Sequence, residues 1–260
     1  MSRIKAIILD WAGTTVDYGC FAPVNAFMAA FNDFGIKAGM EETRAPMGMA
    51  KRAHIEKMLE HPGIASQWQE THGRKYDSGD VDAVYARFEP ALFKVLTKHA
   101  DPVPGALDAV AKIRGMGIAI GSTTGYTKAM MDVVAPAAKE KGYAPDSLVC
   151  PEDVGGKGRP YSFMLWRNLE RLGVMSIDGV LKVGDTIADI EEGKNAGCQC
   201  VGILKGSSLL GLSEEEVIKM SSVELASLLN LTKKKYLEAG ADYVIETIGA
   251  LPALIETLNN

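Results

Sequence analysis

Asp10-Trp11-Ala12-Gly13-Thr14-Thr15 is the stretch from which the fold can be worked out. A largely apolar run, Ile4 to Leu9, precedes it and ends at the carboxylate of Asp10. A run of this length followed by a Gly/Thr turn is typical of a buried parallel strand. Ligands of open α/β sheets bind beyond the carboxyl ends of such strands. We therefore expect Asp10 to be a nucleophile or a metal ligand, with the cap of a turn as the alternative.

Strands and helices alternate in the second part of the chain, after residue 100. Apolar periodicity and Gly/Pro punctuation predict strands at 118–121, 148–150, 180–183, 200–204 and 243–245. The same signals predict helices at 104–116, 126–141, 161–172, 187–196 and 213–239. Such alternation indicates an α/β fold with a doubly wound, parallel, Rossmann-like sheet.

Residues 21–99 show a different pattern, because their apolar residues recur at helical spacing throughout. The predicted helices cover 23–34, 41–59 with a break at 45–48, 64–76 and 81–99. We therefore predict an α/β core domain, residues 1–20 and 100–260, with an all-helical domain of residues 21–99 inserted after the first strand. Two linkers would form a hinge over the strand ends.

The composition of the 260 residues is that of an ordinary globular protein, with 47% hydrophobic and 23% charged residues and a net charge of −5. Lysines 233–235 form the one basic tract, which does not favour nucleic-acid binding. Neither a membrane-spanning segment nor a signal peptide is predicted. The four cysteines, at 20, 150, 198 and 200, lack zinc or redox spacing, so we expect a reduced, cytoplasmic protein.

Four polar clusters follow predicted strands: Asp10, residues 122–124 (Ser-Thr-Thr), residues 157–160 (Lys-Gly-Arg-Pro), and Asp185 with Asp189. Each alone could be a helix cap, a surface loop or a turn. Together, at one sheet edge, they suit phosphoryl transfer. A carboxylate attacks phosphorus, carboxylates hold a magnesium ion, and hydroxyls and a cation hold the phosphoryl oxygens.

This set of motifs resembles the haloacid dehalogenase superfamily. The resemblance implies that Asp10 is the nucleophile and that residues 122–124 bind the phosphoryl group. It further implies that Arg159 or Lys157 is the basic residue and that Asp185 and Asp189 form the acidic motif.

Ala12 departs from the pattern, because phosphatases of the superfamily carry a second Asp two residues after the nucleophile, where it protonates the leaving group. A methyl group cannot do so. Either the chain is inactive or its leaving group needs no acid there. A carbon leaving group fits the second option, since a lysine–aldehyde iminium could accept the electrons of a broken C–P bond.

Lys51 is the candidate for that lysine, and His54 lies three residues on, on the same helical face. From spacing alone, a solvated lysine and a partly buried histidine are the alternatives. However, the stretches 10–19, 47–54 and 121–126 together resemble the phosphonoacetaldehyde hydrolase (phosphonatase) family, and the likeness extends over nearly the whole chain.

The resemblance implies hydrolysis of phosphonoacetaldehyde to acetaldehyde and phosphate, through a Lys51 Schiff base and an Asp10 aspartyl-phosphate. It implies a Mg²⁺ site and a substrate site, and a homodimer formed through the helical cap. The implied metal ligands are Asp10, the Ala12 carbonyl, Asp185 and Asp189. The implied substrate-binding residues are Thr124, Arg159, His54, Tyr126, Met47 and Cys20, with core packing as the alternative for the last two.

The mechanism places a demand on Lys51, because only a neutral amine attacks an aldehyde. Its pKa must lie well below the reference of about 10.4, as desolvation would ensure. Three alternative functions remain open at this point: a phosphate-ester phosphatase or mutase of the same fold, a metal-free dehalogenase, and an inert relative that binds a phosphorylated metabolite.

Overall fold

The computed structural model describes residues 4–260, and its centre is one sheet of six parallel strands. The strand order is β3-β2-β1-β4-β5-β6. The strands are Ala6–Leu9 (β1), Ala119–Thr123 (β2), Ser147–Val149 (β3), Val180–Gly184 (β4), Gln199–Ile203 (β5) and Tyr243–Ile245 (β6). The predicted doubly wound α/β fold is confirmed. Strand β1 lies near the middle of the sheet, and every one of its residues is buried.

Twelve α-helices accompany the sheet in the described part of the chain. Five lie between β1 and β2: Phe21–Asp33 (α1), Met40–Arg44 (α2), Lys51–Glu60 (α3), Pro62–His72 (α4) and Ser78–Phe93 (α5). The other seven are Ala106–Gly115 (α6), Lys128–Glu140 (α7), Phe163–Leu172 (α8), Ile187–Ala196 (α9), Glu214–Lys219 (α10), Ser222–Glu238 (α11) and Leu251–Asn259 (α12). Short 3-10 helices cover Leu96–His99, Pro151–Val154 and Ile248–Ala250.

The register of the central strands brings the predicted site residues to one level. Leu9 of β1 pairs with Ser122 of β2 on one side and with Val183 of β4 on the other. The backbone N–H of Asp10 then donates to the carbonyl of Val183 at 3.0 Å. Asp10 therefore emerges between the ends of β2 and β4, where the crevice of an open parallel sheet lies.

The segment 21–99 is helical, as predicted, and it touches the strand ends. A Cβ on Gly125, in the loop after β2, would lie 2.5 Å from the carbonyl oxygen of Met49 and 2.9 Å from that of Gly48. Gly48, at a φ of +90°, packs against Thr186 in the same close way. Backbone thus approaches backbone where the helical segment meets the loop. The division of the chain into two domains stays a prediction.

The helix predicted at 81–99 ends at Phe93 and is followed by a separate 3-10 helix, Leu96–His99, and two further elements differ from their predictions. The single helix predicted at 213–239 is two helices, α10 and α11, each begun by a serine whose side chain caps its first turn. Helix α12 was not predicted, although it buries Leu251 and Ile255. Near its end the Asn259 side chain accepts a hydrogen bond from the N–H of Ile4 at 2.8 Å. Among residues 4–260, none of the helices combines the length and apolarity that crossing a membrane requires.

Candidate active site

Asp10 is buried and bound by a cation. It is 5% exposed, and its Oδ1 accepts a hydrogen bond from Nη2 of Arg159 at 2.7 Å. Burial alone would raise the pKa of Asp10, but the positive charges of Arg159 and Lys182 outweigh it and hold that pKa below its usual value. Asp10 is therefore an ionised carboxylate, the form that a nucleophile needs.

The loop after Asp10 is tightly turned and lies against a second carboxylate. The carbonyl of Trp11 accepts the N–H groups of Thr14, Thr15 and Val16, at 2.8 to 3.1 Å. Gly13 has a φ of +89°, and a Cβ there would lie 2.1 Å from Oδ2 of Asp185. Only glycine suits both the positive φ of the turn and the close contact with Asp185, which explains why a glycine follows Asp10 in the sequence.

Asp185 and Asp189 join Asp10 in one cluster. A carboxylate oxygen from each of the three lies within 4.8 Å of the others. Asp185 accepts hydrogen bonds from the Thr14 hydroxyl at 3.1 Å and from the Ser208 N–H at 2.8 Å. Burial, followed by the like charges of Asp10 and Asp189, raises the pKa of Asp185 well above its usual value. The three oxygen ligands could therefore hold a hard cation.

Asp189 lies in the first turn of helix α9, and both of its carboxylate oxygens contact neighbouring side chains. Its Oδ2 accepts from the Thr186 hydroxyl at 2.6 Å in a capping box, while Nζ of Lys182 lies 2.8 Å from Oδ1 and Nη2 of Arg159 3.1 Å from it. Gly184 allows the approach, because a Cβ there would lie 2.2 Å from Cγ of Asp189. The predicted acidic motif is thus assembled by a strand end and a capped helix.

Arg159, not Lys157, lies in the cluster. The Arg159 side chain is fully buried, and its N–H groups donate to Asp10, Thr123, Glu192 and the Gly48 carbonyl. Carboxylates around it overcome the effect of burial and raise its pKa well above the usual value. Lys157 is exposed, with its Nζ 5.1 Å from the Phe163 ring centroid.

The cluster contains more buried carboxylates than buried cations. It contains four buried carboxylates (Asp10, Asp185, Asp189, Glu192) and two buried cations (Arg159, Lys182). Fully ionised, these groups leave two uncompensated negative charges, which is costly in a buried site. A divalent cation among the three aspartates would balance them, so the residues present fit a metal of the kind that prefers oxygen ligands.

Ser122 and Thr123 are the last two residues of β2, which is longer than predicted, and only Thr124 follows the strand; the three hydroxyl groups have different partners. Ser122 Oγ accepts the Trp11 indole N–H at 2.5 Å, and the Thr123 hydroxyl is engaged with Arg159, Lys182 and Glu192. Thr124 Oγ1 accepts one bond, from the Tyr126 N–H at 3.0 Å. Among the bonds of the described residues, the hydroxyl hydrogen of Thr124 has no acceptor, so this group can still donate.

Lys51 is 4% exposed and is the first residue of α3. Its Nζ lies 4.8 Å from the ring centroid of Tyr126 and 5.9 Å from that of Phe27. Burial lowers the pKa of Lys51, as does the charge of Arg159, against the opposing effect of Asp10. The first turn of α3 contains no acidic residue, and a helix N-terminus disfavours a positive charge. The surroundings therefore favour the neutral amine.

His54 is fully buried one turn further along α3. Its Nε2 lies 2.8 Å from the Thr43 carbonyl, so Nε2 carries the proton, and its ring stacks on Phe27 at 3.9 Å between centroids. Burial and the charge of Lys51 bring the pKa of His54 well below its usual value. The ring is neutral, and its buried Nδ1 has no hydrogen-bond partner among residues 4–260.

Tyr126, Cys20 and Met47 are each buried, at 3%, 4% and 3% exposure. Burial raises the pKa of the Tyr126 phenol and of the Cys20 thiol well above their usual values, and the acidic residues Asp17, Asp10 and Asp185 add to the shift. Cys20 has a φ of 54°, uncommon for a residue with a side chain, at the junction of the β1 loop with α1. Both polar groups are neutral.

A comparison with protein-family models matches residues 4–197 to the haloacid dehalogenase-like hydrolases. The chain belongs to this family. It is 47% identical over 254 residues to a phosphonoacetaldehyde hydrolase of Bacillus cytotoxicus, with 98% of this chain and 96% of that protein covered. It therefore also belongs to the phosphonoacetaldehyde hydrolase family, and it is a hydrolase.

Two further relatives of this haloacid dehalogenase-like hydrolase are informative. A bifunctional phosphonoacetaldehyde hydrolase/aminoethylphosphonate transaminase of Clostridioides difficile is 47% identical over 258 residues, and the chain spans 99% of its own length but 40% of that protein. A crystal structure of a phosphonoacetaldehyde hydrolase-like protein from Oleispira antarctica matches with a TM-score of 0.95 and 37% identity, covering 99% of this chain and 93% of that one.

Sequence reasoning on this hydrolase missed two residues of the cluster, Lys182 and Glu192. Each is fully buried, and each contacts Asp189, Arg159 or Thr123. A signal was present, because Lys182 interrupts the apolar strand 180–183 in the middle of a parallel sheet, whose two faces are covered. A lysine buried there requires carboxylate partners.

Proposed function

We propose that this chain hydrolyses the C–P bond of phosphonoacetaldehyde, giving acetaldehyde and phosphate. The names of the relatives support the substrate. The observation that carries the proposal is Lys51, a buried lysine at a helix N-terminus, held toward its neutral form beside an aspartate nucleophile. An ester phosphatase has no use for such an amine.

Ala12 supports the same reaction. In an ester phosphatase the leaving oxygen takes up a proton as it departs, and the residue two places after the nucleophile would supply it. The methyl group of Ala12 supplies none. A leaving carbon bonded to an iminium needs none at that moment, because the C–P electrons pass into the C=N⁺ system.

The reaction begins on Lys51. Its neutral Nζ attacks the aldehyde carbon, water leaves, and an iminium forms. An Asp10 oxygen attacks phosphorus, the C–P bond breaks, and its electron pair gives an enamine on the lysine. Water then hydrolyses the aspartyl-phosphate to phosphate. Protonation of the enamine carbon and hydrolysis of the imine release acetaldehyde and restore the amine.

Arg159 and Thr124 would hold the phosphonyl oxygens during these steps. Arg159 presents a charged donor beside Asp10, and Thr124 retains a hydroxyl hydrogen without an acceptor. His54, through its unpartnered Nδ1, and Tyr126, through its protonated phenol, are suited to move and hold protons around the imine. Cys20 and Met47 would line the aldehyde end of the pocket.

Mg²⁺ is the cation proposed for the three-aspartate cluster. Asp10, Asp185, Asp189 and the backbone carbonyl of Ala12 would hold it. When bound, the ion reduces the repulsion between the Asp10 carboxylate and the phosphonyl oxyanions.

The organisation of the molecule completes the proposal. The helical segment 21–99 would act as a cap that opens to admit substrate and closes to exclude water from the iminium. Two copies of the chain would pair through this cap as a homodimer. Analytical ultracentrifugation of the purified protein would test that assembly directly.

The deciding experiment measures acetaldehyde release from phosphonoacetaldehyde with an alcohol dehydrogenase coupling enzyme, with and without Mg²⁺. We expect Mg²⁺-dependent turnover by the wild type, loss of turnover in Lys51→Ala, and normal turnover in the control Lys57→Ala, whose lysine is exposed on the same helix. Borohydride with substrate should label Lys51 in the wild type. Full activity of Lys51→Ala would refute the imine route.

A further inference from the structure

Lys182 and Glu192 lie beneath the nucleophile, and the reaction proposed above uses neither. Lys182 comes from β4, Glu192 comes from α9, and both are fully buried. Close packing brings the two elements together, since a Cβ on Gly193 would lie 2.4 Å from Sγ of Cys200 and 2.8 Å from Cβ of Lys182. A buried ion pair of this kind adds little stability by itself, so its contacts need another explanation.

Lys182 is surrounded by polar groups of the protein itself. Its Nζ lies 2.8 Å from Asp189 Oδ1, 2.8 Å from Thr123 Oγ1 and 3.0 Å from Glu192 Oε2. Of these three contacts, the one to Thr123 Oγ1 is a hydrogen bond, and the ones to Asp189 and Glu192 are ion pairs. Lys182 therefore acts through its neighbours, as the positive charge that faces the carboxylates of Asp189 and Glu192.

Glu192 directs its contacts at Arg159 through a single oxygen. Oε2 accepts hydrogen bonds from Arg159 Nε at 2.9 Å and from Thr123 Oγ1 at 2.9 Å, and it lies 3.0 Å from Lys182 Nζ in an ion pair. Oε1 has no partner among the described residues. The bond to Nε matters most, because Nε lies on the inner edge of the guanidinium and fixes how the planar group is rotated.

The outer nitrogens of Arg159 are thereby aimed at the reaction. Nη2 donates to Asp10 Oδ1 at 2.7 Å and to the Thr123 carbonyl at 2.8 Å, while Nη1 donates to the Gly48 carbonyl at 3.3 Å. A guanidinium binds phosphonyl oxygens well only when its plane is correctly set. A rotation of that plane would withdraw the donors from the position beside Asp10.

We infer that Glu192, with its charge balanced by Lys182, is a positioning residue that sets the guanidinium plane of Arg159 for the phosphonyl group. This inference rests on the proposed function, in which Arg159 binds the phosphonyl oxygens. It assigns Glu192 no contact with substrate, and its effect must therefore disappear when Arg159 is absent.

The test compares Glu192→Gln with the control Glu191→Gln, the exposed neighbour on the same helix. Glutamine retains the size of the side chain and one oxygen acceptor but loses the charge. We expect kcat/KM for phosphonoacetaldehyde to fall by about 10- to 100-fold, mostly through KM, because ground-state and transition-state binding are weakened alike. Glu191→Gln should match the wild type.

A double-mutant cycle separates positioning from general structure. Inorganic phosphate, titrated calorimetrically in the presence of Mg²⁺, is the probe. Glu192→Gln should weaken phosphate binding by about tenfold in the wild-type background and not at all in Arg159→Ala. Equal weakening in both backgrounds, or no weakening in either, would overturn the inference.

Two further arms keep the outcomes distinct. If Glu192→Gln fails to fold, the double variant Lys182→Met/Glu192→Gln, which removes one charge of each sign, should fold and show the same weakening of phosphate binding. Phosphate binding requires no turnover. A wild type that fails to hydrolyse phosphonoacetaldehyde would therefore refute the proposed function, while the phosphate cycle would still decide the role of Glu192.

Discussion

Two walls of the site are equally buried, yet they hold their titratable groups in opposite states. The ion-pair wall, at the strand ends, consists of Asp10, Asp189, Arg159, Lys182 and Glu192. The amine wall consists of Lys51, His54, Cys20 and Tyr126. In the first wall the pKa of Asp10 is lowered and the pKa of Arg159 and of Lys182 is raised, so charge is favoured. In the second, each shift favours the neutral form.

Partner charges explain the difference. Burial opposes the charged form in both walls, but in the first wall each cation lies within 3.1 Å of a carboxylate oxygen. In the amine wall Lys51 lies over the aromatic rings of Tyr126 and Phe27, and His54 stacks on Phe27. Phosphoryl transfer needs charged groups, whereas imine formation needs a neutral amine. The site provides both because only the groups of the ion-pair wall are paired with groups of opposite charge.

The largest expected effect comes from breaking the ion-pair wall alone. Asp10→Asn should lower acetaldehyde release by about ten-thousandfold, because an amide is no nucleophile toward phosphorus. Imine formation belongs to the other wall, so borohydride with substrate should still label Lys51, as measured by mass spectrometry of the digested protein.

The exposed carboxylate of Asp178 supplies the matched control, and Asp178→Asn should behave as the wild type. If Asp10→Asn lost the borohydride label along with turnover while remaining folded, the two walls would not be independent.

The ion-pair wall was only partly predictable from the sequence. Asp10 and Asp189 of this wall, and Asp185 beside them, follow strands, and strand ends of a parallel sheet share one edge, so their approach could be predicted from the pattern alone. The burial of Glu192 could not be predicted in this way, because a glutamate three residues after Asp189 is typical of a solvent-exposed helix position. Its burial depends on the packing of α9 against β4, which no local pattern in the sequence reveals.

The amine wall was predictable for a different reason. Spacing placed Lys51 and His54 on one helical face but could not tell a buried lysine from an exposed one, and the family resemblance supplied that distinction. Residues 48–49, just before Lys51, pack against Gly125 in the loop after β2, and no sequence pattern reveals a tertiary contact of this kind. The roles of these residues remain predictions that the experiments above address.

A smaller loss of activity is expected from a substitution that increases the distance between the two walls. A Cβ at Gly125 would lie 2.5 Å from the Met49 carbonyl oxygen, a backbone atom that can move only with its chain. Gly125→Ala should therefore displace Lys51 and lower kcat/KM by about 10- to 100-fold, since a misplacement of about 1 Å costs that much. Borohydride labelling of Lys51 should slow, while phosphate affinity should change less.

Gly115→Ala is the control, because a Cβ at Gly115 would meet open space at the end of α6. It should leave the kinetics unchanged and the free energy of unfolding equal to or slightly above that of the wild type. Unchanged kinetics in Gly125→Ala would show that the close approach of the helical segment is not needed for catalysis.

The smallest effect, on stability, contrasts two histidines with opposite pKa shifts. His54 in the amine wall has a lowered pKa, whereas His99, whose Nδ1 lies 2.8 Å from Asp17 Oδ1, has a pKa raised by that hydrogen bond against partial burial. The Asp17–His99 pair joins the chain segments that enter and leave the helical region. Asp101 and Lys98 also face His99, with opposite effects on its pKa.

The sign of each effect follows from proton binding. Below the reference pKa of about 6.5, His54 is protonated in the unfolded chain but stays neutral in the folded protein. This residue therefore lowers the free energy of unfolding by up to about 1.4 kcal/mol per pH unit as the pH falls. His99 binds its proton more tightly when folded. Its contribution, below about 1 kcal/mol because the pair is partly exposed, is complete below about pH 6.5 and lost as the pH rises through its folded pKa.

Urea unfolding at about pH 5.5 and about pH 8 measures the free energy of unfolding of His54→Gln and His99→Gln, and we expect the pH to change the stability of the two variants in opposite directions. The free energy of unfolding of each variant is compared with that of the wild type at both pH values. On going from the higher to the lower pH, this difference should become more favourable for His54→Gln and less favourable for His99→Gln. Parallel shifts in the two variants would mean that partner charge does not decide the protonation of these buried groups. The contrast between the two walls would then lose its physical basis.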